Sequence, residues 1–371
     1  MAANEPGGKI GIGPQGRMGG LIQFAVFVIL GLFACVYAIP PDFIVFKIIP
    51  ACLVMLITLV HLAVLGDNWP LAPPGGKWTP DQSRLIPGIG MTVIWVVLIM
   101  AIVYFMINIY PKWPLSPLFI WFGTIVFTVT LLYGINWNCW PFKGKMHPWA
   151  TMVLGFGVIL LVSLLVWKFT NLGGTPFENS PFDPQGPVNV NWLSGLLMWF
   201  IVWFTFLNPV LTTQGTPFGK LGHPGAAIAQ TIVSLILGCI TWTGTLSLGM
   251  SPTFSAFALA ASLIFASYVH SWHLQFWGVT KFTGAKRAVM AFILQVVLAG
   301  LWLIFTRIVL GPIAEQAAVM KLPADINIFT LYYSLCVLLA GLIAHNVFWL
   351  RWPLTLPMPP GTPPPDQAEQ G

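Results

Sequence analysis

Residues 133–149 read Tyr-Gly-Ile-Asn-Trp-Asn-Cys-Trp-Pro-Phe-Lys-Gly-Lys-Met-His-Pro-Trp: the end of one apolar segment, a short basic loop and the start of the next segment. Related patterns occur four more times, with a polar side chain seven or eight residues before a Trp-Pro-Leu-like exit. That spacing is about two helical turns, so both positions fall on one helix face. The pairs are His61 with Trp69, Tyr133 with Trp140, Asn208 with Thr216, His270 with Trp277, and His345 with Trp352. The recurrence indicates five repeated helical hairpins.

The composition indicates that most of the surface of this chain does not face water. Of its 371 residues, 57% are hydrophobic and only 7% are charged, and the mean hydropathy is +0.83. A soluble globular chain carries about 25% charged residues. Apolar runs of about 20 residues, long enough to cross a bilayer as helices, recur along the chain. The sequence therefore predicts an all-α, polytopic transmembrane helical bundle.

Ten apolar runs are the predicted spans. They cover 20–40, 43–65, 88–110, 117–137, 149–169, 192–212, 225–249, 253–275, 288–310 and 328–350. The first run is too long for the apolar region of a signal peptide, so we expect the mature protein to retain it. Pro50 lies inside the second span, where a proline usually produces a kink.

The two ends of the chain differ in composition from this transmembrane domain, which we place at 20–352. Residues 1–19 are rich in glycine and predict a cytoplasmic N-terminal tail. Residues 353–371 contain Pro-Pro-Gly-Thr-Pro-Pro-Pro and predict a disordered, proline-rich C-terminal tail.

The distribution of Lys and Arg predicts the orientation of the bundle. One side, formed by both tails and the loops after even-numbered spans, carries Lys9, Arg17, Lys77, Arg84, Lys143, Lys145, Lys220, Lys281, Lys286, Arg287 and Arg351. The other side carries Lys47, Lys112, Lys168, Arg307 and Lys321. Cytoplasmic loops hold the excess of basic residues. Both termini are therefore predicted to be cytoplasmic, in a bacterial-type inner membrane, with loop 170–191 external. This asymmetry explains the net charge of +6 without nucleic-acid binding.

Carboxylates and metal-ligand patterns are missing from the predicted spans. All ten Asp and Glu lie in loops or tails, so a carboxylate proton relay is not expected. The five cysteines show no metal-ligand spacing, and small buried hydrophobic residues explain them better. There is no P-loop, dinucleotide fingerprint or His-Glu-x-x-His motif. The sequence therefore predicts no metal and no resident cofactor, and it favours a protein that is not an enzyme.

Histidine and tyrosine are the main titratable residues inside the spans, and an ionisable group there is a candidate functional group. His273 lies one turn beyond His270 on a similar face. A pseudo-symmetric bundle could bring the recurring polar groups together around a substrate. Alternatively, each bonds a neighbouring carbonyl or hydroxyl and only fixes the packing. His147 and His223 both precede proline in loops, where a helix cap explains them. The recurring position is occupied, in chain order, by His61, Tyr133, Asn208, His270 and His345.

Two further features of the spans are candidates for a substrate pathway. Asn208-Pro209 predicts a break in the sixth span that frees backbone groups, as in the discontinuous helices of transporters. Trp203 belongs to a group of deep tryptophans that either face lipid or line a cavity. Gly155, Gly157, Gly238 and Gly244 predict close contacts between helices.

Together these features favour a permease or channel for a small neutral or weakly cationic solute. An amine is one candidate, because aromatic faces attract ammonium-like cations. One alternative is a membrane subunit of a redox complex whose histidines bind haem b or quinol. A second is a membrane-embedded metalloenzyme with a His-ligated metal. The expected partners are the lipid bilayer and the solute, with a homo-oligomer or a membrane-complex partner left open.

Overall fold

The computed structural model describes residues 16–71, 85–105, 117–207, 218–274 and 276–349. Of the residues that the structure describes, 78% are helical. The described strands are one parallel pair of two residues each, β1 (Thr170–Asn171) and β2 (Val188–Asn189). The prediction of an all-α membrane protein is confirmed. The tails 1–15 and 350–371 lie outside the described residues, and the first helix begins at Gly16.

Besides a short 3-10 helix (Phe218–Leu221), eleven helices run through the described part of the chain. Seven of them are long and apolar enough to cross a membrane, or eight if the bent pair α2–α3 is one span. Helix α1 from Met18 and helix α5 are apolar but shorter. The predicted multi-pass character is therefore confirmed, and the count of ten spans stays a prediction. The helices are α1 (Gly16–Leu32), α2 (Pro41–Ile48), α3 (Ala51–Leu65), α4 (Leu85–Tyr104), α5 (Ile120–Asn136), α6 (Pro148–Lys168), α7 (Val190–Leu207), α8 (Gly225–Ser247), α9 (Phe254–Ser271), α10 (Gly284–Val319) and α11 (Ile326–Phe348).

Three helices form the centre of the bundle. In α7, α9 and α11, 67–72% of the apolar window is buried within the protein, against 17–28% in α4, α6, α8 and α10. A helix that is apolar on all sides must either be enclosed by protein or face lipid. Helices α7, α9 and α11 are therefore enclosed by protein, and α4, α6, α8 and α10 present their apolar side chains outward.

The predicted kink at Pro50 and the short connection between the predicted spans 225–249 and 253–275 have a clear structural form. Helices α2 and α3 meet near Pro50 at a bend of 51°, as a proline in a membrane helix predicts. Between α8 and α9 the chain turns at Gly249, whose φ of +80° suits glycine. The amide of Met250 closes this turn on the carbonyl of Thr245 at 3.1 Å.

Helix α10 is longer than the predicted span 288–310. It has 36 residues and continues through Pro312 to Val319. Its length is about 54 Å at about 1.5 Å per residue, against a hydrocarbon core of about 30 Å. The sequence after Pro312 contains Ala, Glu and Gln, which are strong helix formers. Helix formation therefore continues beyond the apolar segment, into the region expected to be a loop.

The glycine contacts were predicted correctly at two of four positions. A Cβ at Gly155 would lie 2.6 Å from the side chain of Leu65, and one at Gly238 would lie 3.1 Å from the backbone of Phe200. No atom lies within 4 Å of such a Cβ at Gly157 or Gly244, so the prediction is wrong there. Because small size alone does not reveal which helix face a glycine occupies, the sequence could not separate the two cases.

The loop between α6 and α7 is folded around one carboxylate. Asp183 accepts hydrogen bonds from the amides of Leu172, Asn179 and Gln185, each at 3.0 Å. Slight burial would raise the pKa of Asp183, but the three backbone donors outweigh it, and its pKa is lowered. The strands β1 and β2 close the base of this loop.

Candidate functional site

A buried glutamine in α1 joins two of the candidate histidines. The side-chain nitrogen of Gln23 lies 2.7 Å from Nδ1 of His345 and 2.9 Å from Oδ1 of Asn346. Its side-chain oxygen lies 3.2 Å from Nδ1 of His273. Nδ2 of Asn346 donates in turn to the hydroxyl of Tyr268 at 3.2 Å. We call these five residues the Gln23 network.

The Gln23 network lies where α1 meets two central helices of the bundle. Gln23 and His273 are 0% exposed, and Asn346 is 7% exposed. The ring of His345 is half-buried and packs at 5.3 Å from that of Phe27. Because a buried polar group without a partner costs several kcal/mol in an apolar medium, the matched donors and acceptors stabilise this arrangement.

Gly20 explains how α1 comes so close to the end of α9. A Cβ at this position would lie 1.8 Å from the carbonyl oxygen of His273, which is closer than atoms can approach. Gln23 lies about one turn further along α1. Because α1 is so close to the end of α9, the side chain of Gln23 reaches His273. The contact requires glycine at position 20 and an amide three residues later.

The hydrogen bonds of the Gln23 network define the tautomers of the two rings. His273 donates from Nδ1 to an oxygen, so its neutral form carries the proton on Nδ1. His345 accepts at Nδ1 from an amide nitrogen, so its neutral form carries the proton on Nε2. The two histidines are therefore not chemically equivalent, although both lie near the ends of central helices.

His270 lies one turn before His273 but has different partners. Its Nε2 donates to the carbonyl of Trp277 at 3.2 Å, and its Nδ1 accepts from Gln295 at 3.3 Å. The guanidinium of Arg287 packs over the ring of Phe276 at 4.9 Å, and the ring centroid of Phe276 lies 5.5 Å from that of His270. With both ring nitrogens bonded to protein, the arrangement favours a packing role for His270.

Tyr133 holds the loop after α5 in a comparable way. Its hydroxyl donates to the carbonyl of Cys139 at 3.1 Å, and Cys139 itself is fully buried. Burial raises the pKa of the Cys139 thiol to about 11; nearby Lys143 opposes this shift and Asp67 adds to it. Lys143 forms an ion pair with Asp67 at 3.0 Å, which ties this loop to the loop after α3.

The exits after α3, α5 and α9 share one backbone hydrogen-bond pattern. Each helix ends in a wide turn, closed by Gly66 N to His61 O (2.8 Å), Trp137 N to Leu132 O (3.1 Å) and Leu274 N to Val269 O (3.0 Å). A second bond follows in each, from Asn68 N to Leu62 O, from Cys139 N to Tyr133 O, and from Phe276 N to His270 O. The equivalent positions are therefore Leu62, Tyr133 and His270. His61 comes one residue earlier, which explains its spacing of eight rather than seven.

The remaining candidates lie apart from the Gln23 network. Nδ1 of His61 bonds the carbonyl of Ile57 in its own helix, and its ring packs against Phe156. Trp203 donates to the hydroxyl of Thr241 at 3.1 Å and stacks on Phe292. The structure therefore joins His273 and His345 through Gln23, whereas His61, Tyr133, His270 and Trp203 bond other partners.

Several predicted features fall outside the described residues. These are Asn208, Pro209, Thr216, Pro217 and the exit at 352–354. Of the two loop histidines, His147 caps α6 by accepting from the amide of Trp149 at 3.4 Å, as predicted. His223 does not cap α8; its Nε2 instead donates to the carbonyl of Trp137 at 3.1 Å.

The residues that sequence reasoning missed are the amides and the tyrosine of the Gln23 network. Gln23 stands within an apolar run, and Asn346 directly follows a candidate histidine. Gln295, which is outside the network and bonds His270, also stands within an apolar run. A side-chain amide inside a membrane span is costly unless it is bonded, so its presence was an available signal. Tyr268 gave no comparable signal, since tyrosine is common near span ends.

Neither a metal-ligand cluster nor a known relative defines this site. Within the described ranges, no group of three or more His, Cys, Asp or Glu is placed to hold a metal ion. No family model, no curated protein and no solved structure matches the chain. The functional conclusion therefore depends on the geometry of the Gln23 network.

Proposed function

We propose that this protein is a membrane permease or channel for a small neutral or weakly cationic solute, which interacts with the Gln23 network. The observation that carries the proposal is the network itself: hydrogen-bonded polar side chains from three helices, without a carboxylate, where α1 meets the ends of two enclosed helices of an apolar bundle. An ionisable side chain inside a membrane bundle is by default a candidate for a functional site, and His273 and His345 are two such side chains.

The chemistry of the Gln23 network suits a solute that has both a donor and an acceptor. Gln23 and Asn346 each present an oxygen and an NH2 group, so such a solute can replace one of their mutual hydrogen bonds. The rings of Phe27 and Tyr268 lie beside the two histidines, at 5.3 Å from His345 and 5.4 Å from His273. Aromatic rings attract ammonium-like cations, which supports an amine as one candidate.

The proposal includes the predicted arrangement in the membrane: ten spans in five repeated hairpins, both termini cytoplasmic, in an inner membrane. The shared hydrogen-bond pattern after α3, α5 and α9 supports the repeats. The excess of Lys and Arg on one side supports the orientation. Reporter fusions at the C-terminus and within loop 170–191 test the orientation and the span count. An external C-terminus contradicts the count of ten spans.

Transport is tested with the purified protein in liposomes. We expect uptake of at least one of ammonium, methylammonium, urea or glycerol above that of empty liposomes. Gln23→Leu removes the hydrogen bonds of the network and should lower uptake about tenfold or more, at about 1 kcal/mol per bond lost. Gln230→Leu is the matched control, because Gln230 is equally buried and, within the described part of the chain, bonds only the carbonyl of Leu207. Equal uptake by both variants contradicts the proposal.

One observation favours the redox alternative, in which a histidine binds haem b. A histidine that ligates a metal through Nε2 usually donates its Nδ1 proton to a nearby acceptor, as His273 does to Gln23. His345 accepts at Nδ1 and does not have this arrangement. An absorption spectrum and a metal analysis of the purified protein test the alternative. A Soret band supports haem, and a stoichiometric metal without haem supports the metalloenzyme.

A further inference from the structure

Gln23 separates two histidine rings with an amide that has one donor side and one acceptor side. Its oxygen faces Nδ1 of His273, and its nitrogen faces Nδ1 of His345. An imidazolium ring has a proton on both nitrogens and can only donate. His273 can therefore become charged and keep its hydrogen bond to the amide oxygen. A charged His345 would instead have a proton on Nδ1 that faces the NH2 group of Gln23, and its hydrogen bond would be lost.

We propose that the His273–Gln23–His345 triplet is a proton-binding site that holds one proton and never two, with His273 as the protonated ring. As a proton-binding site, the triplet depends on its geometry alone. It also gives the proposed permease a coupling ion, and that part rests on the proposed function. It needs no carboxylate, in agreement with the absence of Asp and Glu from the predicted spans.

The assignment to His273 follows from the other partners of Gln23. In the observed orientation both amide hydrogens are used, one by His345 and one by Asn346. Rotating the amide by half a turn would place its oxygen against Oδ1 of Asn346, so Asn346 would have to rotate as well. The hydroxyl of Tyr268 would then have to change from acceptor to donor. In the observed orientation the ring that faces the amide oxygen is His273, so His273 receives the proton.

The titratable groups around the triplet come from several elements. On the α9 side these are Tyr268 and His270, and beyond His270 lies the guanidinium of Arg287 in α10. In α11, the hydroxyl of Tyr333 donates to the carbonyl of Val28 in α1. The loop after α3 contacts α11 where Asn68 donates to the carbonyl of Val347, and that loop contains Asp67, paired with Lys143.

The direct test is ¹⁵N NMR of the full-length protein in lipid nanodiscs, with labelled histidine. Signals are assigned with His273→Gln and His345→Gln, and spectra are recorded from about pH 8 to about pH 5, around the ordinary histidine pKa of about 6.5. At the upper end we expect a proton on Nδ1 of His273 and on Nε2 of His345. At the lower end we expect an imidazolium ring at His273 and an unchanged His345.

Gln23→Glu is the matched variant, because a carboxylate of nearly the same shape accepts on both sides. In this variant His345 should move its proton to Nδ1, and both rings should become imidazolium. His61 is the internal reference, since its Nδ1 bonds the carbonyl of Ile57 and its signals should not change. Two charged rings in the native protein, a charged His345 with a neutral His273, or two neutral rings at the lowest pH would each overturn the proposal. So would a Gln23→Glu variant that keeps the native tautomers.

The transport assay separates this inference from the proposed function. A proton gradient should accelerate uptake by the native protein and not by His273→Gln. If uptake by the native protein is the same with and without the gradient, the coupling role is overturned. If no solute is taken up at all, the permease proposal fails. The NMR result still decides whether the triplet holds one proton.

Discussion

The exits after α5 and α9 have the same backbone hydrogen bonds but different connections to the rest of the molecule. After α5, Tyr133 bonds its own loop at the carbonyl of Cys139. After α9, His270 bonds its own loop at the carbonyl of Trp277, and His273 reaches across to Gln23 in α1. One side chain, His273, therefore connects the α9 exit to the Gln23 network, and the α5 exit has no equivalent of it.

The two exits show that the recurring backbone shape and the candidate function depend on different residues. The recurring position, occupied by Tyr133 and His270, holds a loop carbonyl in both exits, which is a structural task. The residue three positions later is Asn136 in the first exit and His273 in the second, and only His273 contacts Gln23. A repeated motif can thus mark the place of a site in the fold without supplying its residues.

The largest effect on stability is expected from a larger residue at Gly20, where α1 is in close contact with the α9 exit. Gly20→Ala places a methyl group against the carbonyl of His273, and the strain should cost about 3 kcal/mol of unfolding free energy. It should also separate Gln23 from His273. Thermal unfolding in detergent measures the loss, and Gly300→Ala is the control, because no atom lies within 4 Å of that position. Equal melting of the two variants would contradict the close contact.

High pH should weaken the α5 exit and leave the α9 exit intact. The pKa of Cys139 is raised from 9.0 to about 11 in the folded protein. Between these values the folded state binds more protons than the unfolded state, so stability falls as pH rises through this window. The loss approaches about 2–3 kcal/mol at about 1.36 kcal/mol per pKa unit. Comparing the native protein with Cys139→Ala from pH 8.5 to pH 11 isolates this contribution, and parallel stability curves would contradict it.

Removing the polar side chain at the recurring position compares the two exits directly. Tyr133→Phe loses one hydrogen bond and should cost about 1 kcal/mol, while His270→Phe loses two and should cost about 2 kcal/mol. Hydrogen exchange should rise in the loop after α5 for the first variant and in the loop after α9 for the second. An increase in both loops from either variant would show that the exits are coupled.

The smallest effect is expected in the loop between α6 and α7. There the carboxylate of Asp183 accepts the backbone hydrogen bonds, whereas backbone carbonyls accept them in the two exits. Asp183→Asn weakens three backbone hydrogen bonds and should raise hydrogen exchange at 170–189 only. Because the pKa of Asp183 is lowered, its contribution is present above pH 3.8 and is lost as pH falls further. Glu178→Gln, which affects one bond to Gly174, should have a weaker effect. A similar response from both variants would remove the special role of Asp183.

Much of the fold could be predicted because apolar length is a local property of the chain. The helical membrane class, the bend near Pro50 and the turn at Gly249 all follow from a few neighbouring residues. The extent of α10 could not be predicted from hydropathy, because helix propensity continues past Pro312. His273 and His345 were identified as candidates, but their bonds to Gln23 were not, because the three residues are more than 70 to 300 positions apart in the sequence.

The amino-acid sequence indicates apolar helices, the bend near Pro50 and the polar side chains that are costly to bury inside the helices. Which of those side chains meet follows from the packing of the helices. Gln23 and His345 are separated by more than 300 positions, and no local pattern indicates that they bond. The contact exists because Gly20 lets α1 lie against the end of α9, next to α11. Since hydrogen bonds depend on distances of a few tenths of an ångström, the partners in the network follow from helix packing and not from spacing along the chain.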